Sequence, residues 1–333
     1  MKTYITLDYE LFMGKKSGTP EKCLIEPMDN LTTMLDKYGV KLNVFVDAAY
    51  LLRVQELKDS FPALQRDFEL VTEHIKKLDR EGHAIQLHLH PQWSNAIFDG
   101  KVWITNTMYY KLSDLPLAEQ LQMIRDGSDL LNSLIKHKLS AYRGGGYCVD
   151  NFSELYDTFL SNGVIYDTSV LRGEKSRVHY KKFDYSRVPK LTSYRIKGDV
   201  TKPNHEGLIT EYPISTIVVP AWKYLVNKKK AYNTIQSDFS NVKWGDGMGA
   251  GYQGSKLSVF KKRFEMFFGN KCIRASVDGG AMDLEKVYDY SKKHYKGDDF
   301  IVIGHPKLIT PLSIHNLEVF ISNHPEIEFT VFS

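Results

Sequence analysis

Cysteine is scarce: Cys23, Cys148 and Cys272 are the only three in 333 residues, an odd number with no Cys-x-x-Cys pair. Neither a disulfide framework nor a thiolate zinc site is indicated, and a reducing compartment fits best. No stretch reaches the roughly 18 consecutive apolar residues of a membrane span. The N-terminus runs straight into Tyr4-Ile5-Thr6-Leu7, without the apolar core and cleavage site of a secretory leader. The expectation is a cytoplasmic protein with no membrane span. One-sided charge is missing too: 44 basic and 40 acidic side chains are interspersed for a formal net charge of +4, so nothing argues for a nucleic-acid partner. The densest run, Lys228-Lys229-Lys230, reads as a solvated face, because binding a phosphate backbone needs many such contacts. Internal repeats and low-complexity linkers are also lacking, so no second independent domain is marked.

What is present is an ordinary globular composition, 42% hydrophobic and 25% charged, able to bury a sizeable core. Short β-type runs alternate with helical patterns: Tyr4 to Asp8, Leu42 to Val46, Ala84 to Leu89, Ala141 to Arg143, Val164 to Asp167, Ile273 to Val277, Phe300 to Gly304 and Glu328 to Phe332. That rhythm predicts an α/β fold with a parallel sheet or barrel, which accommodates this length as one domain over residues 1–333. A helix is expected after Ser113-Asp114, with Pro116 early in it and Leu117, Leu121, Ile124, Leu131 and Ile135 as its apolar stripe. Another should open at Thr310-Pro311. Between about residues 172 and 270 the rhythm breaks into Lys, Tyr and turn residues. That segment includes the run Gly245 to Gly251, which lacks the Gly-Lys-Ser/Thr ending of a phosphate loop. The segment reads as an insertion decorating one face.

Four strand ends carry chemistry. Asp8 and Glu10 close the first apolar run two residues apart, so an extended backbone puts both carboxylates on one face. His88 and His90 alternate with Leu87 and Leu89, and two imidazoles with a carboxylate make a common three-ligand set for a divalent ion. Arg143, before Gly144-Gly145-Gly146, would keep a neighbouring catalytic carboxylate ionised. His305 ends the run Phe300 to Ile303 in the same way, while His83, at the start of its strand, reads as structural.

In this order the four segments resemble the NodB-type polysaccharide deacetylases, over about residues 3 to 170 and 271 to 332. The family's strand-ending acid pair is matched by Asp8 with Glu10, and its Gly-His-Glu-Ile strand by Gly82-His83-Ala84-Ile85 leading to His88. Its arginine motif is matched by Arg143 to Tyr147, its aromatic-x-Asp segment by Tyr166-Asp167, and its last motif by Ile303-Gly304-His305. The acid motif here is Asp-Tyr-Glu, which leaves open whether Glu10 or Asp8 itself binds the metal, and the family spaces its metal histidines four apart, which would put the second ligand at Gln92; His90 is the better donor.

The resemblance implies a distorted (β/α) barrel with a large insertion, and a hydrolase that removes an N-acetyl group from an amino sugar of a cell-surface polysaccharide or its precursor. It implies a divalent metal, zinc first, on Glu10, His88 and His90, with Asp8 as base, Arg143 orienting it and His305 as acid. Gln92, Trp93, Tyr147, Asp167 and Lys307 are the expected substrate-binding positions. The other readings are an amidohydrolase acting on a non-sugar amide and a non-catalytic glycan-binding protein on the same barrel.

Overall fold

The computed structural model describes residues 1–14, 16–105, 108–178, 180–222, 239–249, 270–278 and 281–333. The Lys228–Lys230 run and the end of the glycine run at residues 250–251 lie outside the described residues.

The first five strands are β1 (Lys2–Tyr9), β2 (Asn43–Asp47), β3 (Ala84–Leu89), β4 (Ala141–Gly144) and β5 (Tyr166–Asp167). They pair in parallel in sequence order, and β12 (Asp299–Gly304) joins β1 on its other edge, also parallel. The short β13 (Glu328–Phe329) lies against Lys2 and Thr3. Between these strands run α1 (Glu26–Asp36), α2 (Ala48–Leu57), α3 (Pro62–Arg80), α4 (Leu117–Leu134) and α5 (Phe152–Ser161); α6 (Ala281–His294) and α7 (Pro311–Asn323) flank β12. Strands covered on both faces read as continuous apolar runs, and Ile5, Leu7, Val44, Phe45, Leu87 and Ile301 to Ile303 are all buried.

Four strands of the 172–270 segment are β6 (Lys175–Val178) and β7 (Lys181–Asp184), which form a separate hairpin, and β8 (Tyr194–Ile196) and β9 (Ile209–Glu211). This segment is therefore not decoration throughout. β9 adds to β5 in parallel, and β8 pairs antiparallel to β9, because the edge of a two-residue β5 leaves backbone groups that need partners. The expected strand at Ile273 to Val277 also differs. β11 (Asn270–Arg274) pairs antiparallel with β10 (Thr216–Pro220), and past its end a single bridge of Ser276 to Ile303 reaches β12, made by Val277 N–H to the Ile303 carbonyl and Ile303 N–H to the Ala275 carbonyl. Single backbone contacts, Ala275 N–H to Ser215 and Ile214 N–H to Val170, carry the circuit from β12 back toward β5. The result is a barrel distorted on that side.

Helix α4 forms as expected with Pro116 just before its first residue, but Leu117 is exposed and Ile135 lies past its end, so Ile124 and Leu131 carry the buried stripe. At α7 the Thr310 hydroxyl accepts from Ser313 N–H, a side-chain cap that starts the helix at Pro311. The three cysteines are free. Among the described residues no helix is long and apolar enough to cross a membrane.

Candidate active site

The C-terminal ends of β1, β3, β4 and β12 bring the strand-end side chains together, as a parallel sheet requires of groups placed just past its strands. Glu10 and His90 lie one residue past their strands, and His305 one residue past β12.

Glu10, His88 and His90 converge, each offering one ligand atom within 4.8 Å of the others, and all three are buried. Glu10 Oε2 faces both imidazoles, at 3.3 Å from His88 Nε2 and in direct contact with His90 Nε2. His88 Nδ1 is 2.7 Å from the Arg143 carbonyl, which takes its N–H and turns Nε2 toward Glu10, where it offers an electron pair once an arriving cation displaces its proton. His90 is held through its backbone N–H by Asp47 Oδ1 at 3.1 Å. Burial works against charge on His88, but Asp8, Glu10 and Asp47 outweigh it and lift its pKa to about 9. Burial likewise opposes ionisation of Glu10, yet Lys307, His90 and His88 hold its carboxyl well below the usual range. One carboxylate oxygen and two oriented imidazole nitrogens form a donor set suited to a zinc-like divalent ion.

Asp8 is the second element. Arg143, fully buried, donates through Nη1 to Asp8 Oδ1 at 2.6 Å, through Nη2 to Thr6 Oγ1 at 2.7 Å and through Nε to the Thr168 carbonyl at 3.0 Å, and its guanidinium lies 4.4 Å from the centre of the Phe45 ring. Burial pushes Asp8 toward protonation, but Arg143, His88 and His305 overcome it and keep the carboxyl below its ordinary pKa. The third element is His305, whose Nε2 is 3.6 Å from Asp8 Oδ2 and 3.9 Å from Glu10 Oε1. Its Nδ1 is 2.7 Å from Asp278 Oδ2. The Asp278 side chain is buried, which disfavours its charge, yet His305 and Arg274 bring it down to about 2.

The structure places the remaining expected residues differently. Trp93 is not a stacking surface: it is fully buried, its indole N–H donates to Asp47 Oδ2 at 2.8 Å, and it packs on Tyr50 and Trp103. Gln92 is buried in the turn Pro91–Trp93, outside the ligand cluster, and its Oε1 has no hydrogen-bond partner among the described residues. Asp167 is also fully buried, bonded to Ser169 N–H and Oγ and beside Glu211, so it braces the β5–β9 edge and does not face a substrate. Lys307 turns inward to Glu10 Oε1 and the Leu11 carbonyl, each at 2.7 Å. Tyr147 is 7% exposed and stands at φ +67°, a left-handed backbone that a bulky residue adopts at a cost. The glycines before it serve close packing: a Cβ on Gly145 would come 2.9 Å from His90 Nδ1.

Sequence reasoning missed Asp47, Asp278 and Arg274. Asp47 had a visible signal, an acid ending the apolar run Val44-Phe45-Val46, whereas Asp278 sits in a loop after a strand that turned out to pair elsewhere.

No family model matches this chain, and no curated protein matches it. Solved structures do show similarity. A protein from Mycobacterium smegmatis assigned to the polysaccharide deacetylases is 15% identical, covering 92% of this chain and 73% of that one with a TM-score of 0.44. A polysaccharide deacetylase from Bacillus cereus is 9% identical over 100% of this chain and 92% of that one, TM-score 0.42. A 4-alpha-glucanotransferase from Thermococcus litoralis is 10% identical over 100% of this chain and 40% of that one, TM-score 0.46. Likeness at this level carries no chemistry, which has to be read from this chain's own side chains.

Proposed function

We propose that this protein is a metal-dependent hydrolase that removes an acetyl group from the nitrogen of an amino sugar. The observation that carries the reading is one cluster in which an arginine-held carboxylate, Asp8, faces an aspartate-held imidazole, His305, across from the donor set Glu10, His88 and His90. The sequence motifs that deliver these residues are those that resemble the NodB-type deacetylases.

The donor set fits a divalent ion. Glu10 presents Oε2 to the imidazoles while Lys307 occupies Oε1, and His88 Nε2 is aimed by the Arg143 carbonyl. When bound there, the ion supplies Lewis-acid polarisation of the acetyl carbonyl and stabilises charge on its oxygen. Asp8 Oδ2, kept ionised by Arg143, takes a proton from water as the water oxygen bonds to the acetyl carbon. His305 Nε2, its other nitrogen tied to Asp278, gives a proton to the sugar nitrogen as the carbon–nitrogen bond breaks. Acetate and a free amine result, so atoms and protons balance.

The test is acetate release from N-acetylated chito-oligosaccharides by purified protein reconstituted with zinc, manganese or cobalt, compared with chelator-treated protein. Metal-dependent release supports the reading. A metal-loaded protein that frees no acetate from any acetylated amino sugar overturns it.

A further inference from the structure

Two cations meet on one ring at the edge of this site. Arg274 Nη1 donates to the Tyr147 hydroxyl at 2.9 Å, and Lys181 Nζ stands 4.8 Å from the centre of the Tyr147 ring. They arrive independently, Arg274 from the end of β11 and Lys181 from the start of β7, so local sequence does not force them together. Among the described residues neither has a carboxylate oxygen within 4.0 Å, and each is half-buried. The bordering thiols give no countercharge, because burial pushes Cys148 and Cys272 each up to about 12. Glu174 adds its field to Lys181 without pairing with it. Burial and the neighbouring Arg274 disfavour the charge on Lys181, a cost that is recovered when an anion arrives, while Tyr147, Asp278 and Asp8 keep Arg274 charged to receive it.

The pair also borders the reacting centre. Tyr147 ends the turn whose Gly145 packs on His90, and Arg274 lies four residues before Asp278, the partner of His305. Arg274 feels the charges of Asp8 and Asp278, and Lys181 that of Glu10, so both flank the reacting centre. Arg274 spends Nη1 on Tyr147, and its other N–H groups have no protein partner among the described residues. A planar guanidinium with a neighbouring ammonium is suited to a carboxylate or phosphate.

We propose that Arg274 and Lys181 form an anion subsite beside the reacting acetamido group, so that the preferred substrate is an acidic N-acetylated sugar bearing a carboxylate or phosphate. The subsite stands on its own geometry; that the acetamido group is what reacts rests on the deacetylase reading.

Calorimetric titration of the full chain with three probes tests this: chitotetraose, which is neutral, a hyaluronan tetrasaccharide, which carries carboxylates, and UDP-N-acetylglucosamine, which carries phosphates. One acidic probe should bind about 10- to 100-fold more tightly than the neutral one, the gain expected of charge-assisted hydrogen bonds. Which acidic probe gains separates carboxylate from phosphate. Arg274→Gln and Lys181→Gln should each remove most of that preference, with Arg274→Lys keeping part of it; if Arg274→Gln melts early, Lys181→Gln on its hairpin decides. Equal affinity for all three probes, or a preference surviving in both glutamine variants, overturns the subsite. Because binding is read without turnover, an acid preference with no acetate released from any probe leaves the subsite standing and removes the deacetylase reading. Acetate release with no acid preference does the reverse.

Discussion

His305 Nδ1 lies 2.7 Å from the Asp278 carboxylate, which fixes the imidazole so that Nε2 points to Asp8 at 3.6 Å. A carboxylate that accepts from Nδ1–H fixes the orientation of the ring, so in the proposed reaction the place where Nε2 delivers a proton depends on a residue that does not touch the leaving group.

His305→Ala should lower kcat by about 10²- to 10⁴-fold, the span typical of positioned proton transfer. Metal content should stay unchanged, and added imidazole should restore part of the rate. Asp278→Asn should lower kcat with little change in KM, and Asp278→Glu should recover part of it. Loss of bound metal in His305→Ala would make His305 a ligand instead of an acid.

For the donor set, Glu10→Gln, His88→Ala and His90→Ala are each expected to lose bound metal by elemental analysis, and acetate release with it. Gln92→Ala should retain both, since Gln92 lies outside the cluster. A His90→Ala protein with full metal, paired with a Gln92→Ala protein without it, would move the ligand to Gln92.

Removing Arg143 leaves the Asp8 carboxylate buried without its partner, and breaking such a buried pair costs about 3–5 kcal/mol. The sign in pH follows from the direction of the shift. Burial resists ionisation of Asp8, but Arg143 and the nearby imidazoles depress its folded pKa, so its stabilising contribution is complete above its ordinary pKa and is lost as pH falls through the folded value. Arg143→Ala should therefore move the acidic limb of the kcat/KM profile to higher pH and lower the urea midpoint. An unchanged profile would remove Arg143 from any role in keeping the base ionised.

Asp167 and Glu211 titrate in the opposite sense. Burial is the main cause that lifts Asp167 to about 6, and burial with Asp167 alongside lifts Glu211 well above its usual value. The folded protein thus keeps protons that the unfolded chain gives up above pH about 4, so stability falls as pH rises from about 4, through about 6 for Asp167 and on through the higher folded pKa of Glu211. Glu211→Gln should flatten the fall of the urea midpoint between pH 4 and 7. A variant with the parent slope would show that the pair does not hold its proton.

The sequence by itself determined the central strands and the residues at their ends. A parallel strand buried on both faces must be a continuous apolar run, so Tyr4 to Asp8, Ala84 to Leu89 and Phe300 to Gly304 stood out, and with them Asp8, His88 and His305. Alternation with a period of two also put His88 and His90 on one side. Only the tertiary structure decided what each side chain meets. Trp93 and Lys307 carry the residue types of a sugar site, yet one is spent on Asp47 and the other on Glu10, because a buried polar group takes the nearest partner the fold offers. Asp278 and Arg274 became part of the site because β11 pairs with β10 from a distant stretch of chain, a non-local choice that leaves no periodic trace in the residues themselves.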